Sequence, residues 1–277
     1  MHIIHPLRYR GFIDQGYGQD MGPSANKFRV LGFLLVVAVL SATGAGAAER
    51  LSNADIVRNF NIIAFGNEFT QQRYGRLRKW RKPIIARIDG NPPAFFEDFV
   101  NQHLRDLSKI TGHPAKLAYS PRMRREKRIP RGLNSKSFNM FMLYYPMKEM
   151  TAVVRRQLGK RMDPSLRRLK SGVSTCEAQF FKKGDEIRTA VILFPAYGDK
   201  KTLRACVVEE ITQVMGLAND SNSVRPSIFN DTSQYFELTG HDRLLLRILY
   251  DKRLAVGMPR RDALRTAHTI LREIRPR

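Results

Sequence analysis

Apolar positions recur at helical spacing over 53–69, where Ile56, Phe60, Ile63 and Ala64 share a face, and Ser52-Asn-Ala-Asp55 ahead of them is a capping-box pattern. Phe95, Phe99, Leu104, Leu107 and Ile110 predict a second helix over 94–111, stopped by Gly112. Apolar runs predict strands at 84–88, 116–119, 139–145, 175–182 and 186–194, the last two joined by Lys183-Gly-Asp185. Residues 148–169 read as one basic helix. Thr239-Gly-His-Asp242 is another capping box that opens a helix to about Asp251, and 259–274 reads as a last amphipathic helix. The helix predicted over 201–217 is different. From Ala205 to Asn219 its only charged residues are Glu209 and Glu210, and a helix apolar nearly all round belongs inside a protein. Two adjacent carboxylates there are costly unless something pairs with them. This order of elements predicts an α+β or mixed α/β domain. It would have a sheet of about four or five strands, a central buried helix and C-terminal helices.

The pattern changes upstream of Glu49. Lys27 and Arg29 precede an uncharged apolar run, Val30 to Leu40, and Ala45-Gly-Ala47 follows with small residues at cleavage spacing. That is the three-part pattern of a secretion signal, and the run falls well short of the roughly 20 residues a membrane anchor needs. Residues 27–48 are therefore expected to be a signal cleaved after Ala47 or Ala48, leaving a periplasmic or secreted chain without a transmembrane anchor. Residues 1–26 have no periodicity, and Met21 is the expected start of translation. The remainder divides into a domain over 49–258 and a C-terminal amphipathic helix over 259–277. Export also bears on the two cysteines: Cys176 and Cys206 are expected to form one disulfide rather than remain free thiols.

Charge narrows the partners. The chain carries 48 Lys and Arg against 25 Asp and Glu, a net charge of +23. Four of those cations and two of those anions precede Glu49, which leaves +21 on the exported part. So large an excess favours polyanions: acidic lipid head groups, acidic polysaccharide or nucleic acid. Two stretches concentrate it. Arg73 to Lys82 interleaves charge with Tyr74 and Trp80, and Arg122 to Arg131 has six basic residues in ten. No nucleic-acid fold signature accompanies them, and export argues against that partner. Each stretch reads first as a solvated basic face, and next as contact with an anionic envelope surface.

Glu209, Gln213 and Gly216 lie at i, i+4 and i+7 on one helix face, and a side chain at Asn219 can fold back over it after the glycine turn. The segment resembles the zinc helix of metzincin-type metallopeptidases, whose pattern is His-Glu-x-x-His-x-x-Gly-x-x-His-Asp. Glu210 falls at the catalytic glutamate, Gly216 at the glycine and Asp220 at the closing acid. Glu209, Gln213 and Asn219 fall at the three histidines. Ser227-Ile-Phe229 resembles the Met-turn, with Phe229 in place of methionine, and Leu238 to Tyr250 resembles the helix that closes such domains. The resemblance implies a zincin-like mixed sheet whose strand ending before Pro195 is the substrate-side edge. The exported part as a whole also resembles the domain-of-unknown-function family 2927. That match is carried by residues 57–69, Trp80 with Pro83, Glu209 to Gln213, Gly216 to Asp220, 227–231 and Leu249 to Leu254.

The departures from the zinc pattern decide the chemistry. Zinc prefers imidazole or thiolate, whereas Glu209, Gln213 and Asn219 offer oxygen donors of the kind that suit calcium or magnesium. No zinc-activated water is then expected, and Glu210 keeps the base position without the metal that would give it a nucleophile. We therefore expect no zinc and no cofactor, with calcium or magnesium as the open alternative. The expected function is a metallopeptidase-like scaffold without catalysis, whose 209–220 face is a cleft for a peptide or glycan in the cell envelope. One alternative is a hydrolase that uses Glu209 and Glu210 as acid and base, although adjacent helical residues do not face each other. Another form of it holds a hard cation with Glu209, Gln213 and Asp220. A third possibility is structural: both glutamates are buried and paired with arginines, Arg204 and Arg225 being the candidates.

Overall fold

The computed structural model describes residues 51–66, 73–230, 232 and 235–275. The expected signal at 27–48 lies outside the described residues, as do positions 67–69 of the first predicted helix. Helix α1, Asn53–Phe65, opens on the capping box: the Asp55 N–H donates to Ser52 Oγ at 3.1 Å and the Ser52 N–H to the Asp55 carboxylate at 3.2 Å. The elements that follow are β1 (Lys79–Trp80), β2 (Ile84–Gly90), α2 (Ala94–Thr111), β3 (Ala115–Tyr119) and α3 (Pro121–Arg125). Next come β4 (Met140–Tyr145), α4 (Met147–Leu158), α5 (Asp163–Lys170), β5 (Glu177–Lys183) and β6 (Glu186–Pro195). Helices α6 (Lys200–Gln213), α7 (Gly240–Tyr250) and α8 (Arg260–Ile274) complete the chain.

The class is mixed α/β, with a parallel-dominated sheet of six strands rather than the four or five expected. Strands β3, β2, β4 and β6 are parallel neighbours in that order, because long crossovers carry the chain from one to the next. The extra strand is β1, which is only two residues long and sits in a stretch whose charge conceals it. It pairs with β6 through Lys79↔Glu186 and Trp80↔Ile187, ahead of β4 on the same side. Strand β5 returns through the Lys183-Gly184-Asp185 turn and lies antiparallel along β6. The strand that ends at Pro195 is therefore covered on both sides, and the edge expected there belongs to β5.

Side chains alternate across the sheet and so define two faces. On one, Phe96 of α2 packs against Tyr144 and Phe194 with ring centroids 5.1 and 4.9 Å apart, and α6 lies beside α2. On the other, Leu143, Val191 and Leu193 form a core with Met150, Val154, Leu166 and Leu169 from α4 and α5. The single helix predicted over 148–169 is broken at Gly159, whose φ of +61° takes the chain out of helical conformation. The C-terminal α8 packs against α1.

Candidate functional site

Helix α6 starts where Asp199 accepts the Thr202 N–H at 2.7 Å. From Ala205 to Gln213 every residue is buried, as its composition requires. It ends at Gln213 rather than 217, in a turn through Gly216 at φ +117°. A Cβ at Gly216 would lie 2.3 Å from the Arg78 carbonyl oxygen, so backbone occupies the space a side chain would need. The last carbonyls of a helix have no internal partner. Here the Trp80 indole N–H donates to the Val214 carbonyl at 2.8 Å and the Tyr250 hydroxyl to that of Met215 at 2.9 Å.

The structure brings some predicted site residues together and separates others. Gln213 Nε2 donates to Asp220 Oδ1 at 2.7 Å, so the chain does fold back across the helix end. Asn219 turns away from that pair: its Nδ2 donates to the Ile62 carbonyl at 3.1 Å and to the Asp220 carbonyl at 3.0 Å, tying the turn to the end of α1. Glu209 is buried. Phe229 is fully buried in a turn organised by Asp242, which accepts the Ser227 hydroxyl at 2.6 Å and the Ile228 N–H at 3.2 Å.

Glu210 has no exposed surface, and neither carboxyl oxygen makes a hydrogen bond of good geometry. Burial, then the neighbouring Glu177 and Asp220, push its pKa well above the ordinary carboxylate range, against the pull of Arg168 and the Ala178 amide. Its surroundings favour the protonated form. Its neighbours arrive through the disulfide, which forms as expected: Cys176 and Cys206 are joined with their Cα atoms 6.0 Å apart. Cys206 is one turn before Glu210, so the bridge pins the start of β5 beside that face of α6.

The arginines proposed to pair with the glutamates do not. Arg204 pairs with Glu237, and Arg225 donates to the Asn222 carbonyl and the Thr232 hydroxyl at 3.3 and 3.2 Å. The cation that acts on Glu210 is Arg168, which grips Glu177 with Nε and Nη2. Glu177 also accepts the Ser174 hydroxyl, and burial still pushes it up to about 7. Sequence reasoning missed this cluster. An acid immediately after a bridging cysteine, in an otherwise apolar strand, was the available signal.

The two basic stretches also part company. In the first, Arg78 and Lys79 are buried: Arg78 stacks 3.4 Å from the Tyr74 ring centroid and donates to the Ala64 carbonyl at 2.8 Å. Lys79 donates to the Leu249 carbonyl at 2.9 Å. Desolvation lowers their pKa values to about 9 and about 8. These cations and Trp80 are part of the core, not of a solvated face. The second stretch is surface, with Arg124, Arg125, Lys127, Arg128 and Arg131 exposed.

The donors at the three histidine positions do not fit zinc. Glu209 is buried, and the amide nitrogens of Gln213 and Asn219 are held in other bonds. Among the described residues no group of three or more His, Cys, Asp or Glu is arranged to hold a metal ion. His103 and His241 serve the frame. His103 shares a hydrogen bond with the Thr212 hydroxyl at 2.9 Å, and burial lowers its pKa to about 4. His241 bonds the Pro226 carbonyl at 3.1 Å.

A family model described as a protein of unknown function (DUF2927) matches residues 53–269. No curated protein matches the chain, and no solved structure does.

Proposed function

The chain belongs to the DUF2927 family, a description that names no activity, and we propose that it is an exported, non-catalytic binding module on a peptidase-like scaffold, directed at anionic material of the cell envelope. The observation that carries this reading is Glu210: its carboxyl has no exposed surface and no hydrogen bond of good geometry, so it is out of reach of the water or substrate that a base in its position would have to deprotonate. Support for the scaffold comes from the order of elements. A buried helix follows directly on the last strand, turns at Gly216 and is followed by the capped helix α7. Support for export comes from the Cys176–Cys206 bridge, which is favoured in an oxidising compartment. Support for an anionic partner comes from the net charge of +21 on the exported part together with the exposed basic run that begins in α3.

Two measurements test the proposal. Metal analysis of the purified protein should find no stoichiometric zinc, and added zinc should not produce peptide hydrolysis. Sedimentation with phosphatidylglycerol vesicles and with acidic polysaccharide should show binding that weakens steeply between low and physiological salt. Hydrolysis abolished by Glu210→Gln, whether zinc, a hard cation or no metal supports it, would replace this reading with a hydrolase.

A further inference from the structure

Interior strands of parallel sheets are normally apolar on both faces, because helices cover both. Strand β2 departs from this. It lies between β3 and β4, yet Arg87 and Asp89 point from it to the face on which α4 and α5 cover β4 and β6. Arg87 is held between the Tyr119 and Phe138 rings, 4.9 and 5.2 Å from their centroids, and pairs with Asp89. This fixes the Asp89 carboxylate at the carboxyl end of the strand. The next residue, Gly90, has φ +103°, and a Cβ there would meet the Tyr144 carbonyl oxygen at 1.9 Å.

An open cleft of about 510 Å³ lies at this point, lined by Asp89, Tyr119, Tyr145, Arg124 and Arg125 among others. Its place in the fold is informative. From β2 the chain passes through α2 to β3 on one side, then crosses to β4 on the other. The carboxyl ends of β2 and β4 therefore flank a topological switch point, where open α/β sheets bind ligands. The cations at the rim differ from their neighbours. Arg122 pairs with Asp98 and Arg128 with Glu126, but Arg124 and Arg125 pair with no acid among the described residues. Burial raises the pKa of the Tyr145 hydroxyl, and the Asp89 charge adds to it.

We propose that this cleft is a binding site for an acidic oligosaccharide, a proposal that rests on the reading of the protein as a binder of anionic envelope material. Each class of group matches one part of such a ligand. The Tyr119 and Tyr145 rings offer faces for the apolar side of a sugar ring. The Asp89 carboxylate accepts from sugar hydroxyls, and Arg124 and Arg125 take the ligand's carboxylates. A bare phosphate would meet the Asp89 charge and leave the rings unused, so the lining favours a ligand carrying hydroxyls as well as negative charge.

The test is calorimetric titration of the exported chain with trigalacturonate, beside maltotriose, inorganic phosphate and phosphatidylglycerol vesicles. The double variant Arg124→Ala/Arg125→Ala, both exposed positions, should weaken trigalacturonate about tenfold or more. Lys160→Ala/Arg161→Ala removes the same charge from a different surface and should change affinity by less than about twofold. Tyr145→Phe, which keeps the ring face, should bind trigalacturonate within about twofold of the natural protein. Maltotriose should not bind. Equal weakening by both double variants would overturn the site and leave general polyanion attraction in its place. Displacement of the sugar by millimolar phosphate would also overturn it, in favour of a phosphate site. Binding to vesicles but not to trigalacturonate would remove the site while leaving the envelope reading intact; binding to neither would remove both.

Discussion

Gly216 and Arg78 meet through their backbones: the space a Cβ would fill at Gly216 lies 2.3 Å from the Arg78 carbonyl oxygen. The contact joins the end of α6 to the buried strand β1, where Trp80 and Lys79 also tie the helix ends down. Gly216→Ala must therefore move backbone as well as adopt an unfavourable positive φ. We expect it to lose about 2–4 kcal/mol of stability, read as a lowered urea midpoint. An unchanged midpoint would mean that the turn relaxes freely and does not lock α6 to β1.

The Cys176–Cys206 bridge closes a loop with a sequence separation of 30 and pins the start of β5 to α6. Replacing both cysteines with alanine should cost about 3–4 kcal/mol on the chain-entropy account. Thermal melts of the oxidised, reduced and double-alanine proteins measure it, and the latter two should agree. Melting alike in all three would show that β5 is held by its pairing with β6 alone.

Burial and charge decide which elements can be read from local sequence. Helices with a clear apolar stripe and a polar cap, such as α1, α2 and α7, were legible because local chemistry sets both their phase and their ends. The buried character of α6 was legible from its unbroken apolar run. Strand β1 was not: Lys79 and Arg78 look like surface residues until the Leu249 and Ala64 carbonyls that receive them are known. The partners of Glu210 were hidden for a related reason. Arg168 lies 42 positions away and reaches Glu177 only because the disulfide and the strand register bring α5, β5 and α6 together. Local pattern fixes where a charge sits on its own element, and only tertiary contacts decide what faces it.

The Arg168–Glu177 pair gives a prediction of its own. Glu177 has no exposed surface, and without Arg168 its carboxylate would be buried and uncompensated. Breaking such a pair costs about 3–5 kcal/mol. Burial already raises Glu177 to about 7, so the side chain can escape part of that cost by taking a proton. Arg168→Gln should therefore lose less at pH 5 than at pH 8. Equal losses at both would place the effect in packing rather than charge.

Glu210 gives the sharpest pH test. Its native pKa is raised, with burial the largest cause, while in the unfolded chain it ionises near the ordinary value of about 4.3. Above that value the unfolded state has released a proton that the native state still holds. The native state then binds more protons, so unfolding becomes easier as pH rises, by up to about 1.4 kcal/mol per pH unit until the native pKa is reached. Below about pH 4 both states are protonated and the effect vanishes. Glu210→Gln keeps the shape and removes the titration. It should match the natural protein in stability near pH 4 and become progressively the more stable of the two as pH rises from there toward the native pKa, where the natural protein carries the penalty. Urea denaturation at several pH values reads the difference directly. A difference that stays flat across this range would show that Glu210 is ionised in the folded protein. It would then need a cation at that face of α6, and the role of a base would be open to it again.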